Sequence, residues 1–413
     1  MTQNLYISDY GLVNALGVDK PTIYKNLMQG SQKGMQLNKE LLIGDDVSSA
    51  EETKSESSPA EITVAEVTSV KQSQKLEALS GFPTHLISRN NQLALIAINQ
   101  IRNEVKELRL KYGAARVAIV VGTSTSGISE GERAMSALLE NNEFPNSYDY
   151  RQQEIFNLAE FVARELDLTG ISLTISTACS SSAKAFKTAR EIIQSDMADA
   201  AVVGGVDTLC GMTINGFHSL ASTSESICVP SSVNRDGINI GEAAALAVLR
   251  KDKGTICLLG VGESSDAHHM SAPHPGGEGA IETMKNALLD ASIQAEEVDY
   301  VNLHGTATPK NDEMEAIAVS TVFGSDTACS SSKAMIGHTL GAAGATEVGL
   351  CWLLINEQSS QFAPHVWDNE IDPSIRQLNL VGIGSTHNKV ISRCLSNSFA
   401  FGGNNVSVLI GTK

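Results

Sequence analysis

Two rhythms of apolar residues alternate along the chain. Short β-branched or small-residue runs read as buried strands: 5–16, 117–121 (VAIVV), 171–177, 200–206 (AAVVGGV), 243–249, 256–261, 298–303, 390–395 and 406–410. Between them lie stretches with helical spacing: 22–28, 89–110, 129–140, 153–166, 280–291, 312–322 and the small-residue run 338–356. Leu93, Ile96, Ala97 and Ile101 share one face of the 89–110 helix, and Ala183, Phe186, Ala189, Ile192 and Ile193 one face of the helix after 179. The strands at 243–249 and 256–261 read as a pair joined by the charged turn 250–254, and 397–405 (NSFAFGGNN) as a loop joining the last two strands.

Alternation of this kind predicts an α/β fold. Each half holds a strand running into a Ser/Ala-rich helix start. Ala-Cys-Ser-Ser-Ser even occurs twice, at 178–182 and 328–332. We read a duplication with domains 1–252 and 253–413. The pattern fades at 31–80, where Asp45, Asp46, Glu51, Glu52, Glu56, Glu61 and Glu66 face few lysines. An exposed acidic insert is predicted at 45–73.

Composition narrows the function. With 413 residues, 34 Gly and few aromatics, the chain suits a Leu/Ile/Val/Ala core with closely packed helices and sheets. A net charge of −17 argues against nucleic acid and anionic membrane surfaces as partners. The seven cysteines form no CxxC pair, which disfavours a zinc site or a disulfide framework and points to a reducing, cytoplasmic setting. No secretory signal and no membrane span are predicted.

The candidate chemistry starts at Cys179. A cysteine where a strand turns into a helix meets free N–H groups and the positive end of the helix dipole. Both favour thiolate, so a lowered thiol pKa is expected. A lone cysteine of this kind is more often plain core. Two further motifs reverse that balance. His304 follows a strand and opens HGTATPKND, an arrangement suited to the carboxyl end of an open α/β sheet. Lys333 and His338 sit in KAMIGHTLGAAG, where small residues let backbone approach a ligand.

TACSS, HGTxTxxxD, K-(x)3-GH-(x)2-GAAG and NSFAFGGNN together resemble the β-ketoacyl-acyl-carrier-protein synthases, decarboxylating condensing enzymes of fatty-acid and polyketide synthesis. SRNNQLALIAINQIR and HGTATPKNDEMEA look most like the aryl-polyene branch. The resemblance implies a thiolase fold, two similar α/β halves packed as layers α-β-α-β-α. It implies Cys179 as acyl-carrying nucleophile. His304, His338 and Lys333 would complete the catalytic set, the two imidazoles donating to the enolate oxygen when a malonyl thioester decarboxylates. The N–H groups of Cys179 and Phe401 would form an oxyanion hole, each donor contributing about 3–4 kcal/mol. Phe401, with Gly402 and Gly403, would be a gatekeeper. Glu347 and Asp312 would support the site, and Thr306 and Thr308 would bind the pantetheine arm. No metal or resident cofactor is implied, since substrates ride on the phosphopantetheine of acyl carrier protein. The partner would be a second copy or a chain-length-factor-like subunit.

Two alternatives compete. A non-catalytic chain-length-factor-like subunit would lack the active cysteine. A thiolase would need a second cysteine in a Cys-Gly context, and Cys394 is followed by Leu395-Ser396. Cys329 reads as structural. The family usually has glycine before the gatekeeper; Ala400 stands here and is expected to stiffen the hinge. Because enzyme and carrier are both acidic, a basic docking patch is expected, drawing on Arg133, Arg235, Arg250, Lys251 or Lys253.

Overall fold

The computed structural model describes residues 5–42, 61–68 and 79–413. β1 (Tyr6–Val13) leads to α1 (Lys20–Met28), whose start Asp19 caps by accepting the N–H of Thr22. The strands β2 (Met35–Asn38) and β3 (Ile62–Ala65) pair with each other. Then follow α2 (Arg89–Tyr112), β4 (Val117–Gly122), α3 (Ile128–Asn141), α4 (Asn157–Glu165), β5 (Ser172–Ile175), α5 (Ser181–Gln194), β6 (Ala200–Asp207), α6 (Gly211–Ser219) and β7 (Ala243–Arg250). The second half contains β8 (Cys257–Ser265), α7 (Glu278–Ala291), β9 (Tyr300–Asn302), α8 (Pro309–Phe323), β10 (Ala328–Ser330), α9 (Lys333–Ile336), α10 (Ala343–Asn356), β11 (Asn379–Leu380), β12 (Arg393–Phe399) and β13 (Asn404–Gly411).

The sheet order is β11-β10-β9-β12-β13-β8-β1-β7-β6-β4-β5. It divides into β5-β4-β6-β7-β1 and β10-β9-β12-β13-β8. Numbered along the chain within each block, both orders are 3-2-4-5-1. In both, the first two pairings are parallel and the last two antiparallel. The single pair Tyr6–Cys257 joins the blocks. α5 and α10 pack against each other between the two blocks. α2 and α4 cover the outer face of the first, α7 and α8 that of the second. This is the five-layer arrangement of the thiolase fold. Close approach of the central helices depends on small residues: a Cβ on Gly344 would lie 2.6 Å from that of Ala183.

Four local expectations change. β7 and β8 do not pair with each other, because β1 inserts between them. β5 is an edge strand rather than a buried one, with Leu173 40% exposed; apolar periodicity cannot distinguish the two. Within the acidic insert, 62–65 is a buried strand. Ile62 and Val64 pack with Ile214, Ile238, Ile240 and Leu340. The acidic surroundings hid this four-residue ITVA pattern; 45–60 and 69–73 lie outside the described residues. Finally β12 runs on to Phe399, so the first part of NSFAFGGNN is strand. Its polar side chains are buried, and Asn397 is satisfied in place, where Ser407 Oγ donates to Asn397 Oδ1 at 2.8 Å.

Candidate active site

β5 ends before Cys179 in a tight turn with Ala178 in the left-handed region, φ +53°. Ser181 locks the turn: its Oγ accepts the Thr177 N–H at 2.8 Å and donates to the Ala178 carbonyl at 2.6 Å. Cys179 therefore stands just ahead of α5, as the sequence predicts. Its thiol pKa moves the opposite way from expectation. Burial pushes it up to about 11, against the charge of Lys333 and the N–H groups of Phe401 and Cys179 itself. Those N–H groups and the Lys333 charge favour the thiolate, but desolvation outweighs them. The resting group is a thiol, and its Sγ lies 3.0 Å from His338 Nε2.

His304 leaves the end of β9. Glu315, on α8, accepts the N–H of His304 and of Gly305, each at 2.7 Å. Burial pushes the Glu315 carboxyl up to about 7. The His304 and His338 rings meet edge to face, centroids 5.3 Å apart. Burial drives both imidazole pKa values well below the ordinary range, and the nearby Lys333 charge adds to this. Both rings are thus neutral. Neither Nδ1 has a hydrogen-bond partner among the described residues; at His338 the tautomer is set from the other side of the ring, where the Cys179 thiol proton makes Nε2 the acceptor. His338 is held through its backbone, donating to the Asn239 carbonyl at 2.7 Å.

These groups line a cavity of about 290 Å³. Cys179, His304, His338, Phe401, Thr306 and Thr308 all face it, with Phe217, Ile238 and Phe399 as apolar wall. Thr306 and Thr308 join through their hydroxyls at 2.9 Å. Phe401 rests on Phe217, centroids 5.4 Å apart. Its loop turns on Gly402 and Gly403, at φ +82° and +77°. Ala400 is extended at φ −100°, which costs alanine nothing, so the positive-φ hinge positions are both glycine.

Lys333 does not line the cavity. It forms a buried ion pair with Glu347 and reaches the site by its charge. Asp312 is also set back: it accepts the Ser231 N–H at 2.7 Å, pinning the loop at 231 to the first turn of α8. Cys329 lies on β10 in the core of the second half, its thiol pushed far up by burial. The five cations expected to form a basic patch are each paired with carboxylates: Arg133 with Glu130, Arg235 with Asp372, Arg250 with Glu104 and Asp252, Lys251 with Asp199, and Lys253 with Glu107.

Sequence reasoning missed two buried acids. Glu315 follows His304 by one helical segment, and its position in HGTATPKNDEME was the available signal. Asp207 ends β6. It accepts the N–H of Ser124 and of Thr125 at 2.7 Å on one oxygen and of Ala342 at 3.0 Å on the other. It thereby ties the first half to the start of α10; nothing in VVGGVD announced that.

A frame of two strand blocks in the same order that sets one thiol against two uncharged imidazoles defines a condensing enzyme of the thiolase-fold class. Residues 10–254 match the family model "Beta-ketoacyl synthase, N-terminal domain" and residues 256–366 "Beta-ketoacyl synthase, C-terminal domain". The chain belongs to the β-ketoacyl synthase family. It is 35% identical over 316 residues to 3-oxoacyl-[acyl-carrier-protein] synthase 2 of Coxiella burnetii, covering 72% of this chain and 75% of that one. The Staphylococcus aureus protein of the same name is 31% identical over 340 residues, 77% and 83% of the two chains. Among solved structures, a Xenorhabdus doucetiae ketosynthase (ApeO), in complex with its chain length factor (ApeC), shares 40% identity. That match covers 100% of this chain and 98% of that one at a TM-score of 0.89.

Proposed function

We propose that the chain condenses an acyl group held on Cys179 with malonyl-acyl-carrier-protein, releasing CO2 and 3-ketoacyl-acyl-carrier-protein. The observation that carries this is the 3.0 Å contact between Cys179 Sγ and a neutral His338 Nε2, with His304 beside it. In acyl transfer Sγ attacks the thioester carbonyl, its proton moves to His338 Nε2, and from there to the departing pantetheine thiolate. The N–H groups of Cys179 and Phe401 receive the developing oxyanion. In the second half-reaction the malonyl carboxylate leaves as CO2. The electron pair becomes an enolate whose oxygen accepts from Nε2–H of both imidazoles; His338 reaches this tautomer by exchange with solvent after acylation, when Cys179 no longer offers Nε2 a proton. The enolate carbon attacks the acyl-Cys179 carbonyl, and the Cys179 thiolate leaves and takes up a proton from solvent, the one proton that the decarboxylating cycle consumes. Lys333 disfavours imidazolium at either histidine, so each proton passes on instead of resting there.

Substrates arrive on phosphopantetheine, with Thr306 and Thr308 beside its amides. No step uses a metal, and no cluster of metal-ligating side chains occurs among the described residues. No helix among them is long and apolar enough to cross a membrane. Seven free buried thiols fit a reducing cytoplasm. The open edge of β5, with exposed Leu173, supports assembly with a second chain across that edge. The 40% identity to a ketosynthase solved with a chain length factor favours such a subunit as partner, and the resemblance of SRNNQLALIAINQIR and HGTATPKNDEMEA to the aryl-polyene synthases favours that branch as pathway. The repeated 3-2-4-5-1 order supports a duplication with its junction near 253. The non-catalytic alternative is disfavoured by the assembled Cys179–His338–His304 set, and the thiolase alternative by Cys394, which lies in the core on β12. Purified chain, with its partner where needed, is expected to form 3-ketoacyl product from acyl and malonyl carriers. Cys179→Ala abolishes acyl transfer; retained transfer in that variant overturns the proposal.

A further inference from the structure

The charge of this enzyme raises a problem that the pairing of its cations sharpens. Carrier protein and phosphopantetheine are anionic, the chain has a net charge of −17, and its expected basic residues are paired. One lysine at the cavity stands apart. Lys310 is the single Lys or Arg lining it among the described residues, and it is exposed with no carboxylate partner there.

Its place in the loop gives this meaning. His304, Thr306, Thr308 and Lys310 occupy alternate positions of one segment, and all four line the cavity. Exposure rises along them. His304 is 2% exposed, Thr306 is 5%, Thr308 is half-buried and Lys310 is open to solvent. The segment is therefore a ladder from the reacting centre to the mouth: imidazole, two linked hydroxyls, ammonium. A phosphopantetheine thioester has the same order of chemistry, with a reacting carbonyl, two amides and a phosphodiester. The carboxylates lining the cavity are Asp236 and Asp266. Asp266 is engaged with the Asn405 amide at 2.7 Å and the His274 N–H at 3.0 Å, so it is tied into the wall.

We propose that Lys310 is a binding residue for the phosphodiester of the carrier's pantetheine arm, the cation that admits an acidic substrate to an acidic enzyme. This rests on the condensing-enzyme reading. The ammonium supplies a charge-assisted hydrogen bond at the one point where the arm itself is charged.

The test compares Lys310→Gln, Lys310→Glu and Lys310→Arg on acyl thioesters of pantetheine, of phosphopantetheine and of the carrier protein, read as acylation of Cys179. Lys310→Gln is expected to raise KM about fivefold for the two phosphate-bearing substrates, the scale of one exposed charge contact. Lys310→Glu is expected to raise it further and Lys310→Arg to restore it. The gap closes at high salt, and the pantetheine thioester is unaffected throughout. An equal loss with the pantetheine and phosphopantetheine thioesters overturns the assignment. So does a loss confined to the carrier protein, which would place the contact on the carrier's own acidic surface. If the unaltered chain acylates Cys179 from none of the three, the condensing-enzyme reading fails, and this assignment with it.

Discussion

Cys179 and Cys329 carry the same five-residue context and opposite surroundings. Cys179 ends a turn that opens on a cavity; Cys329 lies within a strand in the core. Cys329→Ala is expected to leave acyl transfer near its original rate, while Cys179→Ala removes it, both read by intact-protein mass. The candidate nucleophile and histidines were legible because their motifs are local. The direction of the Cys179 pKa was not, because desolvation depends on what packs around the thiol. With that pKa near 11, alkylation of Cys179 by a neutral reagent should still be accelerating above pH 9, where an ordinary exposed thiol levels off. A plateau below pH 9 contradicts the buried-thiol account. Glu315 titrates at about 7 instead of 4.5. The folded carboxyl keeps its proton where the unfolded one has lost it, so this group lowers stability as pH rises from about 4.5 to 7. Carbon-13-edited infrared spectroscopy should show a protonated carboxyl disappearing with a midpoint near 7; a midpoint near 4.5 removes the effect.

At the scale of elements, the site is held by loops whose backbone is constrained at few points. Gly402→Ala should cost about 1–2 kcal/mol from left-handed backbone alone, since its Cβ would meet only the far end of the Asn404 side chain at 3.7 Å. Gly403→Ala should cost more, because its Cβ would lie 3.0 Å from Asp266 Cβ. Denaturant unfolding ranks the two. The Lys333–Glu347 pair on α9 and α10 behaves as a unit. Lys333→Met strands a buried carboxylate and should destabilise by about 3–5 kcal/mol, while Lys333→Met with Glu347→Leu recovers most of that. In the double variant both imidazoles lose a neighbouring cation. Their pKa values rise, and the acid limb of the pH–rate profile moves to higher pH. Strand and helix positions were largely legible. No element was assigned from sequence to β2, α6 or β11, and two further misses were β3, a four-residue strand inside an acidic stretch, and the end of β12, a strand carrying buried polar residues.

Over the whole molecule, the alternation of strands and helices in each half was legible, but the way the two strand blocks join was not. β1 pairs with β7 and touches β8, a long-range arrangement that adjacent sequence cannot encode. The edge status of β5 was hidden for the same reason. A charge at that edge, Leu173→Lys, should weaken assembly with the second chain and lower the mass seen by sedimentation, with the isolated fold intact by circular dichroism.

The central claim is that Cys179 carries the acyl group while His304 serves chiefly the decarboxylation. The most direct measurement follows acylation of Cys179 by intact-protein mass and CO2 release from malonyl carrier in one preparation of His304→Ala. Near-normal acylation with CO2 release down at least about a hundredfold is the predicted result. Undiminished CO2 release with Cys179 left unacylated would contradict the account.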